Sequence, residues 1–109
     1  VFTDDDYFVD EREDCTIHWI VPNAQKNEME PILLELPPQG QSHEVAVHEG
    51  EEFGYVLSGR IKLVNLDTGK VYTVKKGQTF YVKGSFSHCL KNDSAQPARV
   101  LWICTPPIF

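Results

Sequence analysis

Three residues in this chain have types and spacings that could do chemistry together: His48, Glu52 and His88. His48 and Glu52 lie four apart across a turn at Gly50, at the mouth of the run Phe53–Ser58, which ends on Gly59. His88 opens a later run of its own. Two imidazoles and a carboxylate are the usual protein donors for a first-row divalent ion. They could hold Zn(II), Fe(II), Mn(II) or Ni(II), with water or a ligand atom completing the shell. The plainer alternative is a polar lining around an empty pocket or one that takes an organic ligand.

Other candidates carry less. His48-Glu49 lacks the second histidine of an H-E-x-x-H helix, and Gly50 opposes a helix there. His18, beside Trp19, reads as a strand histidine, and His43 reads as a surface residue. Cys89 falls on the opposite face from His88. No serine sits in a nucleophile elbow, and no glycine-rich loop has phosphate-cradle spacing, so no catalytic residue is assigned.

The elements that must position these residues read as strands. Ile17–Val21, Ile32–Leu36, Val45–His48, Phe53–Ser58, Ile61–Leu66, Val71–Val74, Thr79–Val82, His88–Lys91 and Val100–Thr105 are short β-branched and aromatic runs. Turn signals separate them at Pro37–Gly40, Ser58-Gly59, Asp67–Gly69, Lys76-Gly77 and Lys83–Ser85. Residues 22–30 read as a polar connecting loop. The spacing predicts an all-β fold, an antiparallel β-sandwich closing toward a barrel. Alternation puts Ala46 and His48 on one face of their run, and Glu52, Gly54 and Val56 on one face of the next. Phe53, Tyr55 and Leu57 then form an outward apolar stripe, which predicts a homodimer.

With 109 residues the chain makes one domain. Its charge of −6 is concentrated: residues 4–14 hold seven acids against Arg12, while nine acids and nine bases balance from Cys15 onward. That body offers no basic field for phosphates, so DNA binding by these residues is not expected. Residues 1–14 read as an acidic linker or edge segment and residues 15–109 as the domain. No apolar run approaches the eighteen residues of a membrane span, and no signal peptide opens the chain. Three unpaired-looking cysteines, Cys15, Cys89 and Cys104, suit a cytoplasmic protein with reduced thiols.

The spacing of these residues resembles the cupin superfamily, whose motifs are G-x5-H-x-H-x3,4-E-x6-G and G-x5-P-x-G-x2-H-x3-N. Gly40, Ala46, His48, Glu52 and Gly59 follow the first; Gly77, Lys83, Ser85, His88 and Asn92 follow the second. Ala46 stands where the family has its first ligand histidine, Lys83 replaces the proline and Ser85 the glycine. The resemblance implies a jelly-roll barrel, the double-stranded β-helix, with metal ligands at His48, Glu52 and His88. Residues 29–38, 48–57 and 97–107 further resemble the C-terminal cupin of lambda-repressor-like (XRE-type) helix-turn-helix regulators. That resemblance implies a small-molecule effector domain that dimerises, with DNA contacted only by a helix-turn-helix domain upstream of Val1 and outside this chain. Ala46, Phe80 and Trp102 are the expected ligand-lining residues. The alternative is a metal-dependent enzyme of dioxygenase or isomerase type using His48, Glu52 and His88.

Overall fold

A computed structural model describes Val1–Phe109 and holds nine strands with two single turns of 3-10 helix, Asp4–Asp6 and Ala24–Lys26. The strands are β1 (Phe8–Glu11), β2 (Thr16–Trp19), β3 (Glu30–Leu36), β4 (Glu51–Ser58), β5 (Arg60–Asn65), β6 (Val71–Lys75), β7 (Thr79–Lys83), β8 (His88–Lys91) and β9 (Ala98–Thr105). Six form one sheet in the order β1-β2-β3-β9-β4-β7, and three form another in the order β6-β5-β8. Every pairing is antiparallel. The expected all-β sandwich is what the chain forms.

Alternation decides what lies between the sheets. In β3 the inward side chains are Glu30, Ile32, Leu34 and Leu36; in β9 they are Ala98, Val100, Trp102 and Cys104. In β4 they are Glu52, Gly54 and Val56. Register lines these residues up in rows: Glu30, Cys104, Glu52 and Val82 form one, and Ile32, Trp102, Gly54 and Phe80 the next. The second row explains Gly54. A Cβ there would stand 2.0 Å from Phe80 Cε2, so only glycine lets that ring cross the β4 backbone. Gly54→Ala is expected to cost about 1–3 kcal/mol by overpacking, measured by urea unfolding.

Two readings of the sequence need correction. Val45–His48 is not a strand; it keeps one isolated bridge, Val45 to His88. Its backbone bonds fall at Ser42 N to Leu90 O, Val45 N to His88 O and His48 N to Gly84 O. Those anchors are three residues apart rather than two, so alternation fails: Val45 is buried while Ala46 and Val47 are both exposed. Glu30, assigned to the loop, opens β3 and is completely buried. Period two run backward from Leu36, Leu34 and Ile32 reaches Glu30, and the intervening Pro31 does not break it. In the acidic opening, Phe8–Glu11 pairs with β2 as an edge strand, where Asp10, Glu11 and the Arg12–Asp10 ion pair at 2.9 Å discourage edge-to-edge association.

Candidate functional site

The first inward row carries the chemistry. Glu52, 1% exposed, faces into the sandwich from β4. Its Oε1 accepts from His88 Nε2 at 2.8 Å and from Trp102 Nε1 at 2.9 Å. Its Oε2 accepts from His48 Nε2 at 2.9 Å. Cys104, its neighbour on β9, is fully buried beside the same carboxylate; burial pushes that thiol strongly up, and the charge of Glu52 adds to the effect. The structure thus brings His48, Glu52 and His88 together and adds Trp102 and Cys104.

Backbone detail aims the two rings. His88 Nδ1 donates to Phe86 O at 3.1 Å, and His48 Nδ1 to Glu49 O at 3.1 Å. Both His88 nitrogens therefore face acceptors, which favours the doubly protonated ring. Gly84 brings the turn after β7 against His48: a Cβ there would lie 1.9 Å from His48 O. The motif glycine, replaced at Ser85, is in effect supplied one residue earlier. Asn92, the last motif residue, does structural work. Its Nδ2 donates to Leu36 O, Pro37 O and Gln96 O at 2.8–3.2 Å, joining three segments.

The titration of the pair follows from these contacts. Burial would raise the pKa of Glu52. The hydrogen bonds from His88 and His48, the charge of His88 and the Trp102 bond outweigh it and hold the carboxyl below its ordinary 4.5. Burial likewise opposes charge on His88, but the Glu52 bond and charge and the Phe86 carbonyl raise its pKa above 6.5. A lowered carboxyl contributes stability above pH 4.5 that is lost as pH falls through its folded value. A raised imidazole contributes stability below pH 6.5 that is lost as pH rises through its folded value. The domain is therefore expected to lose stability from about pH 6.5 upward, and His88→Gln to flatten that alkaline limb. Urea unfolding across the range measures both.

The donor types suit a divalent ion, and the Nδ1 to carbonyl bonds are the outer contacts that orient metal-binding imidazoles. In this structure the nitrogens and oxygens a metal would take are bonded to each other instead. His18 lies on β2 with Nε2 2.6 Å from Glu35 Oε1, an ion-pair distance without good hydrogen-bond geometry, and takes no part. His43 is half-buried rather than on the surface, its ring edge-on to Phe109 with centroids 5.7 Å apart. Burial holds its pKa down.

Of the expected lining residues, Trp102 is fully buried behind Glu52, and Phe80 meets it edge-on at 6.3 Å. Phe80 also lines an apolar cleft of about 430 Å³, with Leu63, Tyr72, Val74, Val82 and Phe86, between β6 and β7, which belong to different sheets. Ala46 is exposed on the irregular segment before β4. Glu30 is the polar residue that the sequence reading missed.

A two-sheet jelly roll with an inward His–Glu–His cluster between its paired motifs defines a cupin-type domain. Residues 32–104 match the cupin domain family model, and the chain belongs to that family. It is 32% identical over 87 residues to an uncharacterized protein of Methanocaldococcus jannaschii, covering 79% of this chain and 68% of that one. It is 31% identical over 91 residues to the HTH-type transcriptional regulator PuuR of Escherichia coli, covering 83% of this chain. It spans only 48% of that regulator's length. Among solved structures, the cupin domain of an XRE-family transcriptional regulator from Enterobacter cloacae is similar with TM-score 0.73 and 21% identity, over 88% of this chain and all of that one. A predicted oxalate decarboxylase from Thermotoga maritima is similar with TM-score 0.80 and 16% identity, over 96% and 97%. Identities that low show the fold alone. No helix here is long and apolar enough to cross a membrane.

Proposed function

We propose that this chain is the small-molecule effector-binding and dimerisation domain of a cytoplasmic DNA-binding transcriptional regulator, without turnover of its own. The observation that carries this reading is the match to a helix-turn-helix regulator across 83% of this chain but 48% of the regulator. DNA contact then belongs to a helix-turn-helix domain outside these residues. Glu52 is sealed among His48, His88, Trp102 and Cys104, with its oxygens committed to internal donors. Trp102, with Phe80 packed edge-on to it, serves as a wall for the effector.

The dimer forms through the outward face of the six-stranded sheet. Phe53, Tyr55 and Leu57 are each 37–38% exposed, and Ile103, Tyr81 and Leu101 lie beside Phe53 and Tyr55 in register. A contiguous apolar stripe of this kind is stabilised by covering it with a second copy. Two measurements test the reading. A thermal-shift screen of small metabolites, amines and amino acids first, is expected to find a stabilising ligand; at a hundred times its Kd the gain is about 2.7 kcal/mol. Sedimentation is expected to show a dimer that Tyr55→Asp dissociates. A monomer at high micromolar concentration, or a screen with no stabilising molecule, would count against it.

A second reading is favoured by one observation, the carbonyl bonds that fix both Nδ1 atoms. In it His48, Glu52 and His88 open to hold a divalent ion. Metal analysis of protein purified without chelator, beside a His48→Ala variant, tests it. Unchanged metal content in that variant would remove His48 from the ligand set.

A further inference from the structure

After β9 the chain folds back over the end of the sandwich that holds the polar row. Ile108 N and Phe109 N both donate to Glu30 Oε1, at 2.9 and 2.6 Å, while Trp19 Nε1 donates to the other oxygen at 3.2 Å. Glu30 is completely buried. The Phe109 ring stands edge-on to Trp102, centroids 4.8 Å apart, and edge-on to His43 at 5.7 Å. Trp102 is the same indole that donates to Glu52. Two features of this corner matter: a buried carboxylate that must be met by donors or a cation, and an aromatic slot beside it. The segment Ile108–Phe109 fills both.

From its backbone nitrogen through Cα and Cβ to the phenyl ring, Phe109 has the skeleton of a 2-arylethylamine. We propose that Phe109 is an internal occupant of the effector subsite, and that the site takes a small arylalkylamine whose ammonium meets Glu30 and whose ring replaces that of Phe109 between Trp102 and His43. This rests on the effector-binding reading and gives it a place and a ligand class. An ammonium brings a full charge where two amides bring partial ones, and charge-assisted bonds are the stronger. The ring recovers the edge-to-face contacts that segment gives up. Displacing the segment 108–109 supplies the two arrangements a sensor needs, because the ligand binds only the one in which that segment has left the slot.

The probe is 2-phenylethylamine, with phenylacetate as a control of the same ring and opposite charge. The probe is expected to raise the thermal midpoint and to speed hydrogen exchange at the Ile108 and Phe109 amides at least tenfold; phenylacetate does neither. A Phe109→Ala variant, which keeps the Glu30 bonds but removes the competing ring, is expected to bind the probe at least tenfold more tightly than wild type. Adding Glu30→Gln to that variant abolishes the gain. The proposal is overturned if Phe109→Ala, folded by circular dichroism, fails to bind the probe. It is equally overturned if the probe stabilises wild type while both amides stay protected. A different metabolite that stabilises the domain and leaves those amides protected overturns this inference alone and leaves the effector reading standing. A screen with no stabilising molecule of any class sinks both.

Discussion

Replacing Glu52 by alanine is expected to destabilise the domain by about 3–5 kcal/mol, the cost of breaking a buried charged network by removing one partner. Three donors converge on that carboxylate at 2.8–2.9 Å, from His48, His88 and Trp102. Once it is gone, His88 Nε2 and the indole N–H of Trp102 are left without their acceptor in fully buried positions. Glu52→Gln keeps an acceptor but offers an N–H where both oxygens now accept, so its cost falls below that of alanine. Urea unfolding at neutral pH separates the three proteins. A Glu52→Ala variant within about 1 kcal/mol of wild type would mean the network is formed but not energetically coupled.

The second large effect is expected at Trp102. Trp102→Ala removes the largest fully buried side chain and leaves a cavity bounded by Phe80, His88 and Phe109, all of which contact it. A cost of about 3–5 kcal/mol follows for such a truncation. Trp102→Phe keeps most of the volume and loses the indole N–H bond to Glu52. It is expected to cost about 1–3 kcal/mol, the range for stranding a buried acceptor. Because Trp102 and Glu52 share that bond, the double variant Glu52→Ala/Trp102→Phe should fall short of additivity by about 0.5–3 kcal/mol. Strict additivity would show that the two residues act independently.

Most of the fold was legible because inward positions alternate cleanly. Ile32, Leu34 and Leu36 on β3, and Val100 and Trp102 on β9, are apolar at every second residue, and both runs are strands. The motif spacings also brought His48, Glu52 and His88 to one point. Where the sequence misled, a local rule met a longer-range contact. Val45–His48 looks β-branched and alternating, but its anchors to Leu90, His88 and Gly84 fall every third residue. Glu30 looks like loop because it is charged and precedes a proline, yet its partners Ile108 and Phe109 lie almost eighty residues away. His43 reads as a surface residue until the segment after β9 places Phe109 against it. None of those distant partners leaves a mark in the neighbouring sequence. The closure of His48 and His88 onto Glu52 is equally invisible there, because spacing shows convergence but not which atoms end up bonded.

The central claim is that this domain binds a small molecule and returns it unchanged, and the most direct measurement is a mass balance on that molecule. Protein purified without chelator is supplied in turn with Fe(II), Mn(II), Zn(II) or Ni(II), incubated with the ligand that stabilises it, and the ligand is quantified by NMR. A sensor returns it whole under every condition, while occupancy shifts the equilibrium between the two arrangements of the domain. Metal-dependent consumption of the ligand, abolished by Glu52→Ala in protein that still folds, would contradict the account and make the domain an enzyme.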